Sequence, residues 1–99
     1  MKAMIWNLRR WISETDTNAL TAAFDRMVLD AGFTVLDTIE HHFQPQGFTK
    51  LYLLAESHLA IHTFPEEGKT YIELSSCNER MQKAFEALFA DAYGNATEA

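Results

Sequence analysis

Two turn signals divide the middle of the chain, and they constrain its fold more than any other feature. Gln44-Pro45-Gln46-Gly47 and Pro65-Glu66-Glu67-Gly68 both join proline to glycine, the strongest punctuators of regular structure. Around them lie four runs rich in β-branched and aromatic residues: Phe33 to Phe43, Phe48 to Ala55, His58 to Phe64 and Lys69 to Cys77. Strands joined by turns this short must run antiparallel. The run from Phe48 to Ala55 is apolar almost throughout, which predicts a central strand.

The flanking segments add two helices and one strand. Lys2 to Ile12 carries Met4, Ile5, Trp6, Leu8, Trp11 and Ile12 and reads as a strand. Thr17 or Asn18 is placed to cap the helix that follows. Leu20, Phe24, Met27 and Val28 recur at helical offsets and predict a helix over Ala19 to Ala31. Gly32 then ends it in the left-handed conformation. A second helix is predicted over Glu79 to Ala92, burying Met81, Ala84, Phe85, Leu88 and Phe89. The tail after Gly94 is small and polar and reads as frayed. The order is strand, helix, four hairpin-linked strands, helix. That predicts an α+β fold: a two-layer sandwich of one antiparallel sheet with two helices on one face.

A chain of 99 residues fits a single domain over residues 1–99. A domain of this size buries roughly 60–65% of its unfolded surface. Yet 47% of the residues are hydrophobic, including seven Phe, two Trp and three Tyr. The helix-free face of the sheet also needs cover, and a second subunit is the simplest cover. The formal charge of −6, with scattered basic residues, argues against nucleic acid as partner. It is compatible with a cationic substrate. The lone Cys77 excludes an internal disulfide and fits a reducing compartment. Neither a signal peptide nor an apolar run of roughly 20 residues is present, so a soluble, cytoplasmic chain with no membrane partner is expected.

The chemistry concentrates between Leu54 and Glu66, with Cys77 twenty residues after Ser57. Read from the residues alone, a hydroxyl, two imidazoles, carboxylates and a thiol gather near one hairpin. His58, Ala60, His62 and Phe64 alternate onto one strand face. With a turn at 65–68, position 57 falls opposite roughly position 76, which returns Cys77 to Ser57. Taken singly, each residue has an ordinary structural explanation: a loop serine, a satisfied histidine, a cysteine acting as a small hydrophobe. A serine hydrolase lacks its Gly-x-Ser-x-Gly elbow here. One cysteine at these spacings matches no standard zinc pattern, so no metal site is expected.

The combination is more specific than its parts. Leu54-Ala55-Glu56-Ser57-His58, His62-Thr63-Phe64-Pro65-Glu66 and Ser75-Ser76-Cys77 closely resemble the bacterial and archaeal S-adenosylmethionine decarboxylases. The resemblance extends upstream through Phe43-Gln44-Pro45-Gln46-Gly47 and Thr49 and covers roughly Gly32 to Cys77 well. It implies a proenzyme that cuts itself between Glu56 and Ser57 into chains 1–56 and 57–99. Ser57 would attack the Glu56 carbonyl, and β-elimination would leave a pyruvoyl cofactor derived from Ser57. His62 matches the histidine that handles protons in this processing, and Thr49 matches an assisting hydroxyl. Cys77 matches the general acid that reprotonates the substrate carbon. A thiol is mostly protonated at neutral pH yet able to give up its proton, which suits that task. The ketone would act as an electron sink for decarboxylation, as pyridoxal does. Phe43 and Phe64 match adenine-facing aromatics, and Glu66 matches a ribose-binding carboxylate.

The implied activity is pyruvoyl-dependent decarboxylation of S-adenosylmethionine, supplying the aminopropyl donor for spermidine synthesis in a homodimer. The first strand departs from the family, since its usual Tyr-Gly segment is missing from Ile5-Trp6-Asn7-Leu8-Arg9-Arg10-Trp11. Many relatives also add a strand after the second helix. These departures leave two alternatives open: a paralogue that decarboxylates arginine or ornithine, or a non-processing partner subunit.

Overall fold

The cap of helix α1 lies one residue before Thr17, the nearer of the two predicted caps. Asp16 caps the helix, its carboxylate accepting from the Ala19 N–H at 2.8 Å. In the computed structural model, which describes residues 1–99, α1 spans Thr17–Asp30 and buries the predicted Leu20, Phe24, Met27 and Val28. Gly32 follows at φ 97°, a conformation that glycine adopts without steric cost.

The strands are β1 (Trp6–Ile12), β2 (Val35–His42), β3 (Phe48–Leu54), β4 (Ser57–Phe64), β5 (Lys69–Ser76) and β6 (Thr97–Glu98). A 3-10 turn over Pro65–Glu67 links β4 to β5, and helix α2 spans Glu79–Ala92 as predicted. All neighbours pair antiparallel in the order β2-β3-β4-β5-β1-β6. Both helices pack on one face, which yields the predicted α+β sandwich.

Three further expectations are corrected. The tail is not frayed: β6 pairs with β1 through Arg10 with Glu98 and Trp11 with Thr97. These backbone bonds tie down a segment too short for its side chains to signal a strand. β3 is not central, because β4 and β5 lie between it and β1. The apolar run after Lys50 arises instead because exposed Leu51 and Leu53 alternate onto the helix-free face. In α2 the buried side chains are Gln82, Phe85 and Phe89, while Met81, Ala84 and Leu88 pack only at the margin. Gln82 sits three and seven residues before the two phenylalanines, so helical periodicity carries it inside despite its polarity.

The helix-side face of the sheet carries Leu8, Ile12, Tyr52, Leu54, Leu59, Ile61, Ile72 and Leu74 into the core. Phe24 on α1 meets Phe85, Phe89 and Tyr93, with centroids 5.6–6.2 Å apart. Burying an aromatic ring of this kind stabilises by roughly 1.5–3 kcal/mol relative to exposure.

One polar tie crosses this layer. Lys50 is 5% exposed, and its ammonium lies 3.1 Å from Asp25 on α1 and 3.9 Å from Glu40 on β2. A buried ammonium needs such partners because desolvation is costly. Tyr52 also donates to Asp25, at 2.5 Å, and its ring lies under the Lys50 ammonium at 4.7 Å. Burial, then the Asp25 hydrogen bond and the Asp25 and Glu40 charges, hold the Tyr52 hydroxyl protonated well above the ordinary tyrosine range. The folded state therefore keeps a proton that the unfolded chain loses near its ordinary value of 10.0. Stability is complete below that pH and falls as pH rises beyond it. Urea unfolding of the uncut chain should show this decline, and Tyr52→Phe should flatten it.

Candidate functional site

The β3–β4 hairpin turns on only two residues, Ala55 and Glu56. Glu56 has φ 61°, the only non-glycine residue with positive φ. A side chain in this left-handed region crowds its own backbone, at a cost of roughly 1–2 kcal/mol. The strained residue immediately precedes Ser57, the predicted nucleophile.

Ser57 opens β4 and pairs with Leu54 on one side and Ser76 on the other. The predicted register of 57 against 76 is thus observed. The Ser57 side chain lies on the helix-side face, 8% exposed, and its hydroxyl donates to the Ser76 hydroxyl at 2.8 Å. Ser76 is 1% exposed and also accepts from the Asn78 N–H at 2.9 Å. Asn78 in turn caps α2 by accepting from the Met81 N–H. Cys77, adjacent to Ser76, presents a free exposed thiol. Glu56, Ser57, His58, Ser75 and Cys77 border one cleft of about 360 Å³ at this end of the sheet.

A second cluster occupies the other end. Thr49 on β3 pairs with His62 on β4, and the hydroxyl lies 2.9 Å from the ring Nδ1. The His62 ring stacks on Tyr71 with centroids 6.3 Å apart. The Tyr71 hydroxyl donates to Glu73 at 2.6 Å, and this bond is the main cause holding it above the ordinary tyrosine range. Phe43, Thr49, His62, Phe64 and Glu66 line a cavity of about 290 Å³. Gly47 closes the turn beneath it, its carbonyl accepting from the Phe43 N–H at 2.9 Å. Gln46, which sequence reasoning left without a role, donates to Glu66 at 3.4 Å.

The sequence placed all these groups near one hairpin, but within one chain they form two groups. Glu56, Ser57 and Cys77 meet at one end; Thr49, His62, Phe43, Phe64 and Glu66 meet at the other. Five residues of extended strand separate Ser57 from His62, about 17 Å. Odd spacing also turns them to opposite faces. His62 therefore cannot touch Ser57 of its own chain. Between the two groups, the helix-free face carries Ile39, Leu51, Leu53 and Ala60 around a shallow depression of about 420 Å³. Ile39 is 64% exposed and Leu53 is 54% exposed, an unusual amount of bare aliphatic surface. Ser76 was visible in the Ser-Ser-Cys run but had no assigned part; the register of 57 with 76 was the signal for it.

Residues 5–95 match a family model described as S-adenosylmethionine decarboxylase. A relative described as S-adenosylmethionine decarboxylase proenzyme, from Prochlorococcus marinus (strain MIT 9313), is 52% identical over 50 residues, half of this chain and 40% of that one. Another of that description, from Moorella thermoacetica, is 39% identical over 56 residues, 57% of this chain and 45% of its own. The chain thus spans less than half the length of either relative. Among solved structures, the adenosylmethionine decarboxylase from Aquifex aeolicus VF5 superposes with a TM-score of 0.75 at 20% identity. That match covers 100% of this chain and 89% of that one, and it establishes the fold.

The strain at Glu56 is directly testable. In a Ser57→Ala background, Glu56→Gly removes the side-chain clash but adds unfolded-state freedom. The net expectation is a gain of up to about 1 kcal/mol in urea unfolding. A loss of stability would mean that the Glu56 side chain makes compensating contacts.

Proposed function

Because this chain belongs to the S-adenosylmethionine decarboxylase family, matched over residues 5–95, we propose that it is a self-processing, pyruvoyl-dependent decarboxylase. Its proposed substrate is S-adenosylmethionine, and its product is the aminopropyl donor for spermidine synthesis. The observation that carries this reading is the junction itself: a left-handed, strained Glu56 followed by a hydrogen-bonded Ser57, with the Cys77 thiol beside them.

The residues present fit the cofactor. Ser57 heads a strand at a cleft, where a cut leaves its new terminus facing Cys77. A pyruvoyl group formed there supplies an electrophilic carbonyl that takes up the electrons released with carbon dioxide. Cys77 is exposed at the cleft and delivers a proton to the substrate carbon. A thiol in that part must stay reduced, which fits a cytoplasmic setting.

The two groups of residues become one site in a homodimer. A twofold axis through the Ile39, Leu51 and Leu53 patch would lay the Thr49–His62 end of one copy against the Ser57–Cys77 end of the other, twice over. This covers the aliphatic surface that the helices leave open. It also brings His62 of a second copy to the scissile peptide, where it can serve the leaving nitrogen or remove the α-proton in the elimination. Phe43 and Phe64 then offer ring faces to the adenine and sulfonium, and Glu66 offers acceptors to the ribose hydroxyls. The chain's net charge of −6 favours approach of a cationic substrate.

Intact mass decides the first step. Incubated protein should split into 1–56 and 57–99, the second lighter by one ammonia than a hydrolysis product; Ser57→Ala should stay whole. A chain that never splits would favour a non-processing subunit. Once cut, Cys77→Ala should retain the fragments but lose decarboxylation of S-adenosylmethionine by about 10²–10⁴-fold. Turnover of arginine or ornithine instead would move the substrate assignment.

Sharing across the axis has its own test. Ser57→Ala and His62→Ala chains should each stay uncut alone. Coexpressed, they should yield cut His62→Ala chains, because His62 arrives from the Ser57→Ala copy. No cutting in the mixture would place processing within single chains.

A further inference from the structure

The Ser57 hydroxyl is held by Ser76, a side chain with no part in the decarboxylation proposed for this site. We infer that Ser76 is the positioning residue for the self-processing nucleophile, an inference that rests on the proposed processing at Ser57. Ser76 accepts from the Ser57 hydroxyl at 2.8 Å and from the Asn78 N–H at 2.9 Å, which occupies both of its lone pairs. Its own proton faces the Asn78 carbonyl at 3.4 Å. All directions around this buried oxygen are therefore committed, and its rotamer is fixed by the N-cap of α2.

That arrangement solves a specific problem. A free serine hydroxyl rotates among three staggered positions. Attack requires one of them, with a lone pair aimed at the Glu56 carbonyl carbon while the hydroxyl proton points elsewhere. Ser76 draws that proton toward the helix-side face. The oxygen is then polarised and its lone pairs are left for the carbonyl. In the step itself, the Ser57 Oγ bonds to the Glu56 carbonyl carbon, and the bond from that carbon to the Ser57 nitrogen breaks. The hydroxyl proton ends on that nitrogen, so the step is a balanced rearrangement of amide to ester. Ser76 is not the final base, because a neutral hydroxyl that took the proton would become a strongly acidic oxonium. It orients the nucleophile from the helix side, and the open face stays free for the imidazole of a second copy.

The site is also organised against drift. Ser57 and Ser76 are direct cross-strand partners in the β4–β5 hairpin, so their spacing follows from backbone register rather than from flexible side chains. Ser76 is 1% exposed, so water does not compete for the contact.

The test is a processing time course by intact mass on freshly translated full-length chain, with thermal melting of each variant in a Ser57→Ala background. Ser76→Ala should slow cutting by about tenfold or more, the scale of lost positioning. Ser76→Cys fills the same space with a weak acceptor and should be slow too. Ser76→Thr keeps the hydroxyl and should restore cutting to within about threefold of the unaltered chain. Cutting of Ser76→Ala at the unaltered rate would overturn the inference. So would equal slowing by Ser76→Ala and Ser76→Thr in step with lowered melting, since that pattern is structural damage. An unaltered chain that stays whole would overturn the processing reading first, and this inference with it.

Discussion

The candidate residues Ser57 and His62 take their places from the register of β4, which is hydrogen-bonded to β3 on one side and β5 on the other. Against β3 it pairs Thr49 with His62; against β5 it pairs Ser57 with Ser76. A slip of one residue would turn Ser57 outward and His62 into the core. What forbids the slip is Leu59 and Ile61, both wholly buried between the two polar ends. Each would have to surface, at a cost of roughly 1.5–3 kcal/mol. The apolar centre of β4 thus fixes the chemistry at its ends.

The same register keeps the two groups of candidate residues apart within one chain. Period two sends neighbouring residues to opposite faces, and five residues span about 17 Å. No local flexing joins Ser57 to His62 over that distance. The sheet nonetheless leaves Ile39, Leu51 and Leu53 bare on the side of His62. An aliphatic face with a reactive group at each end is what a twofold assembly needs. Burial and site completion would then be one event, and an unpaired chain would be slow to cut itself.

Much of this was legible in sequence because it rests on local pattern. The Pro-Gly turns set the hairpins, and the turn at 65–68 fixed Ser57 against Ser76 by counting alone. Phe43, Thr49, His62, Phe64 and Glu66 were each marked by the family resemblance, but their gathering at the end of the sheet away from Ser57 was not legible. What stayed hidden was the choice of face. β3 carries Leu51 and Leu53 on one side and Tyr52 and Leu54 on the other, so its alternation could not say which set turns to the helices. Lys50 was hidden for a different reason: its partner Asp25 lies twenty-five residues away on α1, a pairing that no local pattern carries. β6 was missed because two residues offer no periodicity, and only the free edge of β1 makes a strand of them.

The position of the proposed cut also follows from the topology. A break after Glu56 severs a two-residue turn and no core segment. The first piece would keep β1, α1, β2 and β3; the second would keep β4, β5, α2 and β6. In the sheet these pieces interleave, meeting at β3–β4, at β5–β1 and at β1–β6. Each piece therefore supplies strands that the other needs, and α1 packs on α2 across the same divide. Release of strain at Glu56 favours the cut, while the ladders on either side keep the products together. The new terminus at position 57 would stay in place through the β4–β5 ladder, beside Cys77, although its Oγ leaves with the Glu56 carboxyl in the elimination. A cut within any strand would sacrifice ladder bonds, and a cut in the turn over Pro65–Glu67 would release no strained non-glycine residue. Among the hairpin turns, the one at Glu56 alone combines stored strain with an adjacent hydroxyl already held in place.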